Sequence, residues 1–158
     1  MNDQMPVVQI PKSGEIRMTI QGEEASVRLA RELARYALIN WGYERSPVDD
    51  SAVVMSEIVT NAVEAAAGRA LRIRIAVHEG APLLECWDPS PELPRLCEAG
   101  LDALSGRGLA IIAAYAKDTG VRPSATGQGK IVWALMPTAT APVPIVPPQR
   151  PHPASTEN

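Results

Sequence analysis

The spacing of apolar and polar positions changes several times along the chain and predicts alternating strands and helices. Residues 15–21 (Glu-Ile-Arg-Met-Thr-Ile-Gln) alternate between polar and apolar side chains, which predicts a strand. Residues 23–41 instead place apolar or small side chains three or four positions apart, from Val27 to Trp41. This spacing predicts an amphipathic helix that ends at Gly42.

A second helix is predicted from its start signal. Ser46 offers a capping hydroxyl, Pro47 suits the first helical position, and Asp49 and Asp50 follow in the first turn. The helix should continue to about residue 67, because Gly68 then interrupts the pattern.

Strand patterns dominate the second half of the chain. Residues 71–78 alternate and residues 83–87 are mostly apolar, with a Glu-Gly-Ala-Pro turn between them, so the two segments predict a hairpin. Residues 89–105 contain three prolines and predict an irregular stretch with a short helix. Residues 109–117 predict a further helix and residues 130–136 a last strand. Three such helices with about four strands predict an α+β, two-layer sandwich.

The distribution of proline indicates the limits of the folded domain. Seven prolines fall within residues 137–158, among small and polar side chains, which predicts an extended or disordered tail. Residues 1–13 are similarly polar and predict a flexible N-terminus. A single domain at residues 14–136 is therefore expected, of a size that can bury a core.

Composition excludes several functional classes. Hydrophobic residues make up 46% of the chain and the net charge is −3, so no basic field favours nucleic acid or an anionic membrane. No apolar run approaches the length of about 18 residues that spans a bilayer, and the first residues lack the layout of a secretory signal. Cys86 and Cys97 have no neighbouring metal ligands and are expected to be reduced. These features predict a cytoplasmic protein.

Glu57 and Asn61 are the first candidates for chemistry. They border the apolar stripe of the second predicted helix, four positions apart and thus on one face. Burying a carboxylate and an amide is costly unless they have partners. In the functional interpretation Asn61 gives an oxygen ligand to Mg²⁺, and Glu57 orients or deprotonates a water or a hydroxyl. The alternative is that both side chains face solvent.

Asp88 and two glycine-rich turns are the remaining candidates. Asp88 follows an apolar strand, where it can accept a hydrogen bond from a ligand amino group, or can simply form a turn before a proline. Gly106-Arg107-Gly108 leads into a helix whose first N–H groups favour an anion, although one such motif is weak evidence. The turn at residues 127–130 is equally open to a plain structural interpretation.

These segments, taken in order, resemble the four motifs of one ATPase superfamily. Residues 56–65 (Ser-Glu-Ile-Val-Thr-Asn-Ala-Val-Glu-Ala) resemble the N-box of the GHKL, or histidine-kinase-like, ATPases, in the form found in bacterial anti-sigma-factor serine kinases and their actinobacterial relatives. Residues 86–91 (Cys-Trp-Asp-Pro-Ser-Pro) resemble the adenine-reading motif. Residues 105–112 and 127–133 resemble the later glycine boxes, and the resemblance extends over residues 17–136.

The resemblance implies a Bergerat-type fold, a mixed, mostly antiparallel sheet covered by helices on one face. It implies ATP or ADP with Mg²⁺ as cofactors, Glu57 as the general base, Asn61 as the magnesium ligand and Asp88 as the acceptor for the adenine amino group. The other implied nucleotide-binding residues are Ser90, Gly106, Arg107, Gly108, Leu109, Gly129 and Lys130. Residues 91–105 would form a short lid.

The implied function is an anti-sigma factor that regulates transcription. It would sequester a sigma factor and phosphorylate a serine of an anti-anti-sigma protein, and it would form a homodimer through the first strand and helix. The alternative is a non-catalytic binding module of the same fold, with a structural nucleotide or none. This alternative is favoured by Asp88-Pro89-Ser90-Pro91, which replaces the Asp-x-Gly-x-Gly typical of the family.

Two other classes are disfavoured. A detached histidine-kinase catalytic domain would need a histidine on a helical hairpin, whereas His78 lies on a predicted strand and His152 in the predicted tail. A DNA-handling ATPase of the gyrase or mismatch-repair type would need a transducer domain, for which the chain shows no pattern.

Overall fold

The chain was analysed as a computed structural model, which describes residues 14–91 and 105–138, without the side chains of residues 105–108. The predicted flexible N-terminus, the predicted lid between residues 92 and 104, and residues 139–158 of the predicted tail lie outside this description. The described elements are β1 (Glu15–Gln21), α1 (Glu24–Asn40), α2 (Arg45–Ala65), β2 (Ala70–His78), β3 (Ala81–Asp88), α3 (Ser105–Tyr115), β4 (Asp118–Pro123) and β5 (Lys130–Leu135).

The strands form one sheet in the order β1-β2-β3-β5-β4, in which every neighbouring pair is antiparallel. The predicted α+β class is therefore confirmed, and the sheet is antiparallel throughout rather than mixed. The strand β4 was not predicted, because nearly all of its side chains are exposed and it has no apolar alternation. An exposed edge strand that contains glycine and proline is held by its pairing with β5 and not by burial.

Side-chain alternation along the strands separates a helix-covered inner face from an outer face. On β2, Leu71, Ile73 and Ile75 are buried, whereas Arg72 and Arg74 between them lie on the opposite side. The buried strand residues join residues of all three helices in one hydrophobic core. The helices therefore cover a single face of the sheet, as the two-layer prediction requires.

The predicted start of the second helix was wrong by two residues, and Asp49 and Asp50 therefore lie beyond its first turn. α2 begins at Arg45, and Glu44 at the N-cap makes no side-chain capping bond. Ser46 and Pro47 instead lie in the first turn, where a proline is tolerated because these first N–H groups have no partner within the helix. α3 likewise begins at Ser105, four residues before its predicted start, so the Gly-Arg-Gly segment forms its first turn.

Several smaller predictions can be compared with the described residues. Cys86 is a free thiol, and its burial, together with the charge of Asp88, raises its pKa to about 12, which makes it unreactive. His78 is an exposed residue at the end of β2. None of the helices within residues 14–91 and 105–138 combines the length and the apolar character needed to cross a bilayer.

Candidate functional site

Asp88 is the last residue of β3. Its side chain is only 1% exposed, and only one of its two carboxylate oxygens has hydrogen-bond partners. Its Oδ1 accepts a hydrogen bond from the backbone N–H of Ser90 at 2.9 Å and another from Nζ of Lys130 at 2.9 Å. Its Oδ2 is buried and has no partner among the described atoms. The alternative in which Asp88 simply forms a turn therefore explains the contacts of Oδ1 only. Oδ2 remains an acceptor without a donor.

Lys130 supplies the charge that balances Asp88. The antiparallel register of β3 and β5 pairs the two residues directly, so both side chains point to the inner face. Nζ of Lys130 also lies 3.3 Å from the backbone oxygen of Ser90, and the lysine side chain is 5% exposed. Because this ion pair neutralises the buried carboxylate, the free Oδ2 suits a neutral N–H donor better than an ammonium group.

The turn that leads into β5 is packed tightly against the end of β3. Gly129 has a φ of 74°, and a Cβ at this position would stand 2.1 Å from the backbone oxygen of Asp88. The indole N–H of Trp87 donates to the backbone oxygen of Gln128 at 3.0 Å, which fixes the same turn. Only glycine permits so close an approach with a left-handed backbone.

Asp88 thus lies against three other predicted site residues, namely Ser90, Gly129 and Lys130.

Glu57 and Asn61 lie one turn apart on α2 and both are half-buried. The Nδ2 atom of Asn61 is buried without a partner among the described residues, so the solvent-facing alternative does not hold for this amide. Burial raises the pKa of Glu57, and the charge of Glu64 raises it further. α2 packs against both β3 and α3, and so connects this pair with the elements that carry the other candidates.

Unsatisfied polar atoms are concentrated at these positions. Within the described residues, three buried side-chain atoms lack a hydrogen-bond partner: Ser51 Oγ, Asn61 Nδ2 and Asp88 Oδ2. Leaving such an atom unpaired costs about 1–3 kcal/mol, so each requires a partner such as a ligand or a water. Two of the three belong to residues that the sequence singles out for binding.

In the first turn of α3 the structure describes the backbone but not the side chains of residues 105–108. Gly106 and Gly108 lie in that turn, at the positive end of an 11-residue helix. Leu109 is half-buried and packs against the hydrophobic core. The Arg107 side chain lies outside the described atoms.

A metal ion would not find a complete ligand set in the described protein atoms. No group of three or more His, Cys, Asp or Glu side chains within these residues could hold a cation. The amide of Asn61 could give one oxygen to Mg²⁺, and phosphate oxygens and waters would complete the octahedron that this ion prefers. The residues present therefore fit a metal that enters with a phosphorylated ligand.

The contact between Asp88 and Lys130 is the feature of the site that sequence reasoning missed. The two residues are 42 positions apart, and only the register of β3 with β5 brings them together. Each residue was a separate candidate in the sequence, but no local pattern indicates that they form a buried ion pair.

Comparison with known proteins gives a family and a related fold. The family model described as "Histidine kinase-like ATPase domain" matches residues 20–136, which include every candidate site residue. No curated protein matches the chain.

Among solved structures, the crystal structure of the RsbU and RsbW domains of Rv1364c from Mycobacterium tuberculosis superposes with a TM-score of 0.58 at 19% sequence identity. The match covers 77% of this chain but only 32% of that one, and at this identity it establishes a shared fold.

Proposed function

Because the chain belongs to the histidine kinase-like ATPase domain family, we propose that it binds ATP or ADP together with Mg²⁺ at the site built around Asp88. One observation carries this proposal: Asp88 Oδ2 is a buried acceptor without a donor. The exocyclic amino group of adenine is a neutral donor of the kind this oxygen requires. The first turn of α3 supports the phosphate end of the proposal, since helix N-termini favour anions.

Asn61 and Glu57 have distinct roles in this proposal. Asn61 gives its amide oxygen to the cation, while its buried Nδ2, which lacks an acceptor, donates to a phosphate or water oxygen. Glu57 accepts the proton of an attacking hydroxyl, and its raised pKa makes it a better proton acceptor than an ordinary glutamate. The nucleotide supplies the phosphoryl group.

We further propose that the acceptor hydroxyl is a serine of an anti-anti-sigma protein and that the chain also holds a sigma factor inactive, as a homodimer in the cytoplasm. The support is the resemblance of residues 56–65 to the N-box of anti-sigma-factor kinases. The fold shared with a structure that contains an RsbW domain is compatible with it. Phosphoryl transfer depends chiefly on positioning and on charge neutralisation, for which Glu57, Asn61 and a cation suffice.

A non-catalytic binding module is the second candidate, and one observation favours it. Oδ1 of Asp88 is already occupied by Lys130 and by the backbone N–H of Ser90, which leaves a single free oxygen for a base. Pro89 and Pro91 also stiffen the segment where the family pattern has glycines. In this alternative the same surfaces bind protein partners without phosphate transfer.

Calorimetric titration with ATP and ADP, with and without Mg²⁺, tests the nucleotide site. We expect Mg²⁺-dependent binding of ATP that weakens at least about tenfold in Asp88→Asn and stays unchanged in Asp118→Asn, an exposed aspartate on β4. Purine riboside triphosphate, which lacks the amino group, should bind wild type as weakly as ATP binds the variant. Equal ATP affinity in Asp88→Asn would place base recognition elsewhere, and no binding at millimolar ATP would leave only the second candidate.

Phosphate transfer separates the two candidates. With labelled ATP and a panel of anti-anti-sigma proteins, Glu57→Ala should abolish transfer while the affinity for ATP changes less than about threefold. Glu24→Ala, an exposed glutamate on α1, is the control. Full transfer by Glu57→Ala would exclude Glu57 as the proton acceptor.

A further inference from the structure

The outer face of the sheet carries an open groove that the proposed function does not use. The groove measures about 290 Å³, and its lining residues come from β1, β2, β3, β5 and the turn before β5, mostly on the side opposite the helices. Its charged and large side chains are Arg17, Arg72, Arg74, Glu85, Trp87 and Ile131. Three arginines against one glutamate give the groove an excess of two positive charges in a chain of net charge −3.

Most of these charges already have partners. Glu85 receives hydrogen bonds from Arg74 at 3.2 Å and from Arg122 at 2.7 Å. Glu15, at the edge of the sheet, pairs with both Arg17 and Arg74, and these two arginines lower its pKa. These pairs account for Arg17, Arg74 and Arg122.

Arg72 is different, because no carboxylate within the described part of the chain pairs with it. Its guanidinium carbon lies 4.6 Å from the centre of the Trp87 ring. The indole N–H of Trp87 is in turn bonded to Gln128, so the aromatic platform is fixed. Stacking uses the flat face of a guanidinium and leaves its N–H edges available, which is the geometry that receives a carboxylate with two hydrogen bonds.

We propose that this groove docks an acidic segment of a partner protein, with one carboxylate bound by Arg72 and apolar atoms against Ile131. Charge complementarity selects this occupant. A second copy of the chain would bring two positively charged grooves together. A nucleic acid strand would need aromatic faces for its bases, and one face of the Trp87 ring, on which a base could stack, is already covered by Arg72.

A peptide titration of the full-length chain, without nucleotide and at about 50 mM salt, tests the groove. The probes are a short glutamate-rich peptide that contains one isoleucine and its counterpart with glutamine at every glutamate. We expect the glutamate peptide to bind and the glutamine peptide not to bind. Arg72→Met should weaken binding about tenfold, because one charge-assisted pair is lost. Arg28→Met, an equal charge change on exposed α1, should leave binding unchanged.

A second variant tests the role of Arg72 without removing its side chain. Thr19 is exposed and pairs directly with Arg72 across β1 and β2, so Thr19→Glu would place a carboxylate beside the guanidinium. This internal partner should compete with the peptide and weaken its binding about as much as Arg72→Met does.

Three outcomes would overturn the proposal. The first is that the glutamate peptide does not bind, or binds equally to wild type and Arg72→Met. The second is that oligo(dT) binds instead and is lost in Arg72→Met, which would make the groove a nucleic-acid site. The third is that sedimentation shows self-association that Arg72→Met abolishes, which would make the occupant a second copy. None of these outcomes bears on the nucleotide site, since nucleotide is absent.

Discussion

Two carboxylates on β3, three residues apart, lie on opposite faces of the sheet and differ in how completely they are paired. Glu85, on the outer face, has one arginine on each oxygen, Arg74 and Arg122. Asp88, on the inner face, has both of its contacts on one oxygen and none on the other. A fully paired carboxylate is explained by the sheet that it stabilises. A half-paired buried one implies a partner that the described chain does not supply.

The cluster of ion pairs around Asp88 (the inner cluster) and the one around Glu85 also differ in how much stability is lost when an ion pair is broken. Asp88 and Lys130 are 1% and 5% exposed and pair with each other, whereas Glu85, itself 7% exposed, is shared by two arginines that are 30% and 46% exposed. A buried ion pair is expensive to break when the remaining charge has no other counter-charge, whereas Glu85 keeps one arginine when the other is removed. The inner cluster should therefore be much more sensitive to substitution.

The largest expected effect tests this inequality directly. Lys130→Met leaves the Asp88 carboxylate buried without its counter-charge and should lower the free energy of unfolding by about 3–5 kcal/mol. Arg122→Met removes a partly exposed arginine and leaves Glu85 paired with Arg74, so it should cost less than about 1 kcal/mol. Urea unfolding of both variants at pH 7 measures the difference.

The double variant Asp88→Asn, Lys130→Met is the control for that prediction. With both charges removed, much of the lost stability should return, since no unpaired charge remains buried. If Lys130→Met and Arg122→Met lost similar amounts of stability, the difference in burial between the two clusters would not determine the cost of breaking their ion pairs.

The second prediction concerns the turn that closes over Asp88. Gly127 and Gly129 both have a φ of 74°, but a Cβ on Gly127 would meet nothing within 4 Å, whereas one on Gly129 would overlap Asp88. Gly127→Ala should therefore lower the free energy of unfolding only by the cost of holding an alanine in the left-handed region, about 1 kcal/mol. Gly129→Ala adds a backbone clash and should cost about 3 kcal/mol or more.

Thermal and urea unfolding of the two alanine variants compare positions that share a turn and a backbone angle. Equal losses would show that the turn can move away from β3 without cost. The tight contact would then play no part in holding Asp88.

Most of the fold could be predicted from the sequence because most elements have one buried side. β1, β2 and the three helices each show a period in their apolar residues, and each was found within a few residues of its predicted bounds. β4 has no buried side and therefore no period, so the sequence did not indicate it. Its existence depends on a neighbour, β5, and not on its own composition.

The candidate site likewise has a part that could be predicted from the sequence and a part that could not. Glu57, Asn61 and Asp88 became candidates through motifs that resemble those of a known family, and each of these motifs is continuous in sequence. The pairing of Asp88 with Lys130 depends on the register between strands 42 residues apart, which no local pattern specifies. The stacking of Arg72 on Trp87 was missed for the same reason.

The smallest expected effect concerns Glu57, another inner-side carboxylate that is poorly compensated. Burial and Glu64 raise its pKa, so the folded chain binds this proton more readily than the unfolded chain. The contribution of Glu57 to stability is therefore fully present below the unfolded value of about 4.5 and is lost as pH rises through the folded pKa. Glu57→Gln avoids that loss and should raise the free energy of unfolding at pH 7 by less than about 1 kcal/mol.

Urea unfolding at pH 7 and at pH 4 checks the sign, because the gain should vanish at the lower pH, where wild-type Glu57 is protonated. Glu64→Gln, which removes only the repulsive neighbour, should give a smaller gain. A loss of stability in Glu57→Gln at pH 7 would mean that the charged form has a stabilising partner in the fold, contrary to its raised pKa. A gain that accompanies loss of phosphate transfer would instead mean that this carboxylate is retained for chemistry at the expense of stability, as expected at a functional site. Glu85, which is fully paired on the outer face, should show no such gain when it is changed to glutamine.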